Sequence, residues 1–362
     1  MATTTYGVND ALAVKLWKKT LDVEVLKETF IQRFIGNSAS SLIQMKTETS
    51  KGPGDKVTYG LRMQLSGTGV TEGQVLEGNE ESLTTYSDSI LINELAHAVK
   101  VTGKNTIDQQ RVTFDMREEA KDGLRDWYAG RIDQTFFSHI AGDTTAAVNT
   151  AVYNGNNTIV APTASTRIIT INSHAEGSLV AGDELTIGAI DKAVAMAKTA
   201  TPMIRPLRIM GGDYYCLFVH PYQVLSLRSS LSTSALTWAD IQKARIQGGE
   251  KDVNKLFEGG SYLGMYNGCL IYESTRIPPA ISSGAYVSNT RRAVLCGAQA
   301  ASIAFGQNFD GAGDTKFNWV EEDFDYKRRL GVSAQTVWGF KKTVYNSTDF
   351  GTIVIPTYAA AP

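Results

Sequence analysis

The chain has 362 residues, 43% hydrophobic and 20% charged, with 35 basic against 37 acidic side chains. This composition supplies a core and excludes wholesale disorder, and the length allows one large domain or two to three smaller ones. A formal charge of −2 argues against a protein whose main task is gripping nucleic acid, because phosphate neutralisation supplies most of that affinity.

The opening MATTTYGVND lacks a basic-then-apolar leader, and the longest nearly apolar run, 293–306, is too short to cross a bilayer. A product made in the cytoplasm is expected. Residues 10–35 carry Leu12, Leu16, Trp17, Leu21, Val25, Leu26, Phe30, Ile31 and Phe34 at helical spacing, ended by Gly36-Asn37-Ser38. An apolar terminal helix needs a partner surface, either its own core or a neighbouring chain.

Residues 56–65 alternate strictly. Val57, Tyr59, Leu61, Met63 and Leu65 face one way; Thr58, Gly60, Arg62 and Gln64 face the other. This predicts a half-buried strand about 33 Å long. A glycine-rich passage follows, with Glu72, Glu77, Glu80 and Glu81 and no basic residue over 66–81. Residues 86–101 then return as a second extended run, giving a long hairpin with a wide, mobile tip.

Residues 114–141 give the strongest helix signal. Asp115 and Glu118 form a capping-box-like start, and Met116, Ala120, Leu124, Trp127, Tyr128, Ile132, Phe136 and Ile140 form one stripe. Such a helix is about 40 Å long and can be the spine of a domain. Residues 142–185 read as short strands and turns, and 189–200 as a further helix. From Arg208 alternation returns with short helices between strands, including TWADIQKARI at 237–246, and 317–355 is mostly strand. The fold class is α+β.

Reactive constellations are not apparent. His97, His139, His174 and His220 lack metal-ligand spacing, and no GxSxG elbow occurs. Cys216, Cys269 and Cys296 stand apart and read as small core residues. The acidic run Glu321-Glu322-Asp323 reads as a solvated face or loop, and GAGDTK at 311–316 lacks calcium-loop ligands. GPGDK at 52–56 misses phosphate-loop spacing and precedes a strand rather than a helix. No catalytic, cofactor-binding or metal residue is assigned.

The phrases TTYGVNDALAVKLW (4–17), KGPGDKVTYGLRMQLSGTGV (51–70), LEGNEESLTTYSDSI (76–90), RVTFDMREEAKDGLRDW (111–127) and YLGMYNGCLIYES (262–274) carry a resemblance. Together they resemble the major capsid proteins of tailed bacteriophages with the Hong Kong 97-type fold, and among them the N-four-like podophage branch. The resemblance implies an N-terminal arm at 1–40 and an extended hairpin loop at 41–104 lying across a neighbouring subunit. It further implies a peripheral domain with the spine helix at 105–201 and 311–362, and an axial domain at 202–310. The implied function is self-assembly as hexamers and pentamers into an icosahedral shell around a double-stranded DNA genome, without catalysis. The implied location is the virion, assembled in the host cytoplasm with no membrane. Implied partners are other copies, a portal, a separate scaffolding protein, a decoration protein, and packaged DNA contacted weakly and without sequence specificity. A nanocompartment shell of the encapsulin type is the alternative on the same fold. The namesake's covalent cross-link through a loop lysine does not carry over, because the tip 66–81 has no lysine.

Contacts between subunits are expected at Leu16, Trp17, Phe30 and Phe34 of the arm, and at Tyr59, Leu61, Arg62 and Met63 of the hairpin. The tip acids Glu72, Glu77, Glu80 and Glu81 are expected to meet Arg or Lys of an adjacent copy. A lone two-stranded hairpin is marginal in water, and an unpaired edge invites association, so a neighbour would supply the missing surface.

Overall fold

The computed structural model describes residues 25, 29–48, 54–62, 65, 67–102, 106–111, 113, 115–145, 157–163, 166–209, 211–229, 262–306, 316–326 and 328–362. In chain order the strands begin with β1 (Ile35–Gly36), β2 (Ile43–Lys46), β3 (Lys56–Arg62), β4 (Thr85–Leu91) and β5 (Asn93–Thr102). Helices α1 (Ile107–Arg111), α2 (Met116–Ala141) and α3 (Ile187–Thr199) precede β6 (Leu207–Ile209), β7 (Gly212–Val219) and helix α4 (Pro221–Ser229). Then come β8 (Tyr262–Tyr266), β9 (Cys269–Glu273), β10 (Ile281–Ser282), β11 (Ala285–Tyr286), β12 (Thr290–Cys296) and β13 (Ala301–Phe305). The chain closes with β14 (Phe317–Phe324), β15 (Arg329–Lys342), β16 (Val344–Tyr345), β17 (Thr348–Asp349) and β18 (Thr352–Tyr358).

Two mixed sheets organise these elements. The first runs β1-β2-β13-β15-β14, with β5 paired to β15 as well. Leu330 to Thr336 of β15 pair with both β5 and β14, so those strands flank it. The second sheet runs β18-β12-β7-β9-β8, with β6 on β7.

Helix α2 lies between the sheets. Its stripe Leu124, Tyr128, Ile132, Phe136 and Ile140 is buried. Phe136 meets Phe340 of the first sheet (centroids 5.9 Å apart) and Phe218 of the second (5.5 Å). The Tyr128 hydroxyl donates to Ala334 O at 2.6 Å, which satisfies the phenol inside the core. Each such aromatic side chain removed from water contributes roughly 1.5–3 kcal/mol. Helix α3 covers the other face of the second sheet, packing Ile190, Ala193 and Val194 against a cluster that includes Leu217, Leu295 and Ile353.

The ends of α2 follow from local chemistry. Asp115 caps the start by accepting from Arg117 N at 2.9 Å. The helix stops at Gly142, in the left-handed region at φ 65°, where a Cβ would stand 2.5 Å from Pro162 Cδ and 2.9 Å from backbone atoms. Glycine is required there on both counts.

Three expectations need correction. The helix expected over 10–35 does not continue through its last turns: Phe30–Phe34 is a 3-10 helix leading directly into β1. The carboxylate of Asp133 accepts from Phe30 N (3.0 Å) and Ile31 N (3.2 Å), diverting these amides from an α-helical ladder. The run expected as one strand over 86–101 breaks at Ile92, whose N–H goes to Asp55 O. Its first half pairs with β3 and its second half joins the first sheet beside β15. Finally, β18 pairs along its whole length with β12, so the last strand belongs with the 207–296 sheet rather than with β14 and β15. Residues 237–246 lie outside the described residues.

Candidate assembly surface

The β3–β4 hairpin is held firmly at its base. Val57 and Ile90 are buried against Ala304, with Tyr59 and Ile92 alongside. The alternation of β3 places Tyr59 on the same inward face, where its hydroxyl lies 2.7 Å from Ser302 Oγ and donates to Asp88 Oδ2 at 3.2 Å. Burial, reinforced by the Asp88 carboxylate, pushes the Tyr59 phenol far above its ordinary range, so it remains a protonated donor. Asp88 is itself buried, pairs with Lys341 and accepts from Val344 N at 3.0 Å. The Asn157 side-chain amide brackets Leu91, accepting from its N–H at 3.0 Å and donating to its C=O at 2.8 Å.

The outer part differs. The ladder ends at Arg62↔Thr85, so the paired length is seven residues, about 23 Å. From Gly67 to Thr85 every residue is exposed except the half-buried Val70. Turns at Thr71–Gln74 and Leu76–Asn79 shape the tip. Leu65, Val75, Leu76 and Leu83 stand 59%, 67%, 60% and 56% exposed. Four aliphatic side chains are thus largely exposed on one loop.

The expected contact residues fall into distinct groups. Leu16, Trp17 and Met63 lie outside the described residues. Phe34 is 5% exposed, with its ring centroid 5.1 Å from Tyr272 and 5.4 Å from Phe218. Phe30 is half-buried and packs on Phe34, Phe137 and Phe218. These two rings pack into the chain's own core, where Asp133 pins the backbone of Phe30 and Ile31 to α2. Tyr59 likewise turns toward its own chain. Leu61 is half-buried, and Arg62, Glu72, Glu77, Glu80 and Glu81 are exposed. Two of those acids bond within the loop: Glu80 accepts from Gly78 N and Glu81 from Gly67 N.

None of these four exposed aliphatics is among the contact residues expected from the sequence. Leu65 is expected on the buried face by alternation, yet that alternation has no sheet to read beyond Arg62. The usable signal was Val75-Leu76 and Leu83 standing in an otherwise polar, glycine-rich passage.

The titratable groups elsewhere sit in separate structural settings. His97 stacks on Trp127 at 4.3 Å, and His174 Nδ1 lies 2.7 Å from Asp183 Oδ2. His139 is buried with neither ring nitrogen hydrogen-bonded, and burial beside Lys342 and Lys341 drives its pKa down to about 3. Among the described residues no group of three or more His, Cys, Asp or Glu could hold a metal ion. No helix among them is long and apolar enough to cross a membrane.

Known proteins place this architecture. The family described as phage capsid protein matches residues 5–361. A major capsid protein of Pseudomonas phage KPP25 is 29% identical over 378 positions, spanning 96% of this chain and 94% of the relative. The capsid of Ralstonia phage GP4 superposes with a TM-score of 0.77 at 26% identity, over 100% of this chain and 96% of that one. The capsid of cyanophage Pam1 shares the fold at a TM-score of 0.70 and 20% identity, over 93% and 94% of the two chains. With a match that runs almost end to end and a shared Hong Kong 97-type fold, the chain belongs to the phage capsid protein family, whose members are structural proteins and not enzymes.

Proposed function

We propose that this chain builds the shell of a tailed phage as hexamers and pentamers, with the β3–β4 loop of each copy lying across the next. One observation carries this reading: the loop is anchored at its base, while its outer third exposes four aliphatic side chains. Docked on a second copy, such a tip removes apolar area from water at about 25 cal/mol per Å². A contact between two different patches of one chain is head-to-tail, and it closes into rings when the rotation between copies allows. The arm at 1–40, the loop at 41–104, a peripheral body around α2 and the first sheet, and an axial body around the second sheet form the working division. The axial body includes β18.

Glu72 and Glu77 face outward and would meet Arg or Lys of the adjacent copy. Exposed pairs of this kind contribute about 0–1 kcal/mol each, so they set register more than affinity. The portal, a separate scaffolding protein and a decoration protein would be further partners. The near-neutral charge fits weak, sequence-independent contact with packaged DNA. The nanocompartment alternative is not favoured, since the family and the relatives are phage capsid proteins.

The test is to express the full chain with its scaffolding protein, pass it over a sizing column and image the largest fraction. Shells or capsomer rings are expected. A chain that stays monomeric under those conditions overturns the reading.

A further inference from the structure

The tip of the loop is closed by one of its own acids. Glu81 Oε2 accepts a hydrogen bond from Gly67 N at 2.6 Å, joining positions 14 residues apart. Beyond the last ladder pair, Arg62↔Thr85, this bond links the outgoing and returning arms as the ladder does at the base. A Cβ added at Gly67 would stand 2.8 Å from the same carboxylate oxygen, the flexible end of the Glu81 side chain. A bond from a backbone amide to a carboxylate is charge-assisted and stronger than a neutral one. Four residues earlier in sequence than that bond's acid, Glu77 has no such place in the loop's hydrogen-bonding as described, whereas Glu80 Oε2 takes the Gly78 N–H at 2.8 Å.

Resting on the reading that the loop lies across a second copy, the geometry points to Glu81 as a positioning residue for assembly. Its carboxylate sets the shape of the tip before docking, and its charge is not what the neighbour reads. A loop already held in its docked shape loses less freedom on association, so the clasp favours assembly without itself touching the partner. Leu65, Val75, Leu76 and Leu83, each exposed, then stand on a tip of fixed outline.

Two substitutions separate shape from charge. Glu81→Gln keeps an acceptor oxygen for the Gly67 amide and removes the charge; Glu81→Ala removes both. Two quantities are read on the full chain: the threshold concentration for shell formation by sedimentation, and amide exchange over 65–70 in the unassembled chain by mass spectrometry. The expected result for Glu81→Gln, which keeps the acceptor but only as a weaker neutral bond, is exchange and threshold between those of wild type and Glu81→Ala, nearer to wild type. Glu81→Ala should show faster exchange at 65–70 and a threshold raised about threefold, the scale of one exposed hydrogen bond. The proposal is overturned if Glu81→Gln loses as much as Glu81→Ala with exchange unchanged, or if Glu81→Ala assembles at the wild-type threshold. A third chain, with 67–83 replaced by a Gly-Ser linker, separates the two levels. If it assembles normally, the reading of the loop itself fails, and not the role of Glu81 alone.

Discussion

Lys342 Nζ lies 2.8 Å from Asp349 Oδ1, with each side chain 1% exposed. At this distance the two form a buried ion pair, while Lys342 also donates to Val160 O at 3.0 Å and Asp349 Oδ2 accepts from Thr163 N at 3.1 Å. The pair fastens the end of β15 to β17 and to the 157–163 segment. Removing one partner leaves a buried charge uncompensated, which costs about 3–5 kcal/mol. Lys342→Met and Asp349→Asn should each destabilise the unassembled chain on that scale in denaturant unfolding, and the double variant should recover part of the loss. Single-variant losses below about 0.5 kcal/mol, the ordinary range for a surface change, contradict a structural role for the pair.

The distribution of what could be read in advance follows contact range. Helix α2 was legible because its cap, its stripe and its terminal glycine all lie in one continuous stretch. The alternation of β3 was legible for the same reason, as far as the ladder runs. The break at Ile92 was not, because 86–101 is uniformly strand-like and the dividing contact comes from Asp55. The inward turn of Phe30 and Phe34 depends on Asp133, about a hundred positions away. The sheet to which β18 belongs is likewise fixed by β12, which precedes it by more than fifty residues. At the assembly surface the acids stood out by charge, but their use within the loop depends on turns that bring Gly67 to Glu81.

Acid should weaken the fold through His139. Its pKa falls from an ordinary value near 6.5 to about 3 in the folded chain, chiefly by burial, with Lys342 and Lys341 adding to the effect. The unfolded chain therefore binds the proton first, and stability contributed by the neutral ring is lost as pH drops below about 6.5. His220, held near 4 by burial and Arg291, acts in the same direction. His139→Leu removes a ring with two unsatisfied nitrogens packed 5.5 Å from Phe340. It should leave stability at pH 7 unchanged or raise it by about 1 kcal/mol. It should also shrink, without abolishing, the fall in Tm between pH 7 and pH 4.5. An identical pH profile in wild type and variant rules the ring out as a source of acid sensitivity.

The arm should loosen when its anchor is cut. Asp133 receives Phe30 N and Ile31 N on separate oxygens, and burial raises its pKa against the lowering effect of these two bonds. Asn can satisfy one amide and Ala neither. Limited proteolysis of the unassembled chain within 25–36 should quicken in the order wild type, Asp133→Asn, Asp133→Ala. The alanine variant should lose about 1–3 kcal/mol of stability. Equal cleavage rates in all three chains would mean that Phe34, packed at 5.1 Å on Tyr272, holds the segment without help from the carboxylate.

The exposed aliphatics give the sharpest separation of folding from assembly. Val75 and Leu76 are 67% and 60% exposed and lie well outside the Val57–Ile90–Ala304 cluster that anchors the hairpin. Replacing both with Ser therefore takes almost nothing from the core, and Tm of the unassembled chain should stay within the range of a surface change, about ±0.5 kcal/mol. Burial of the same two side chains against a neighbour would contribute roughly 1.5–3 kcal/mol each if complete. The Val75→Ser, Leu76→Ser chain should accordingly need at least about tenfold more protein to form shells, read by sedimentation. Glu72→Gln, Glu77→Gln is the matched control, since exposed ion pairs contribute about 0–1 kcal/mol. If the acid pair raises the threshold and the aliphatic pair does not, the neighbour reads charge at this tip, and the aliphatic account is wrong.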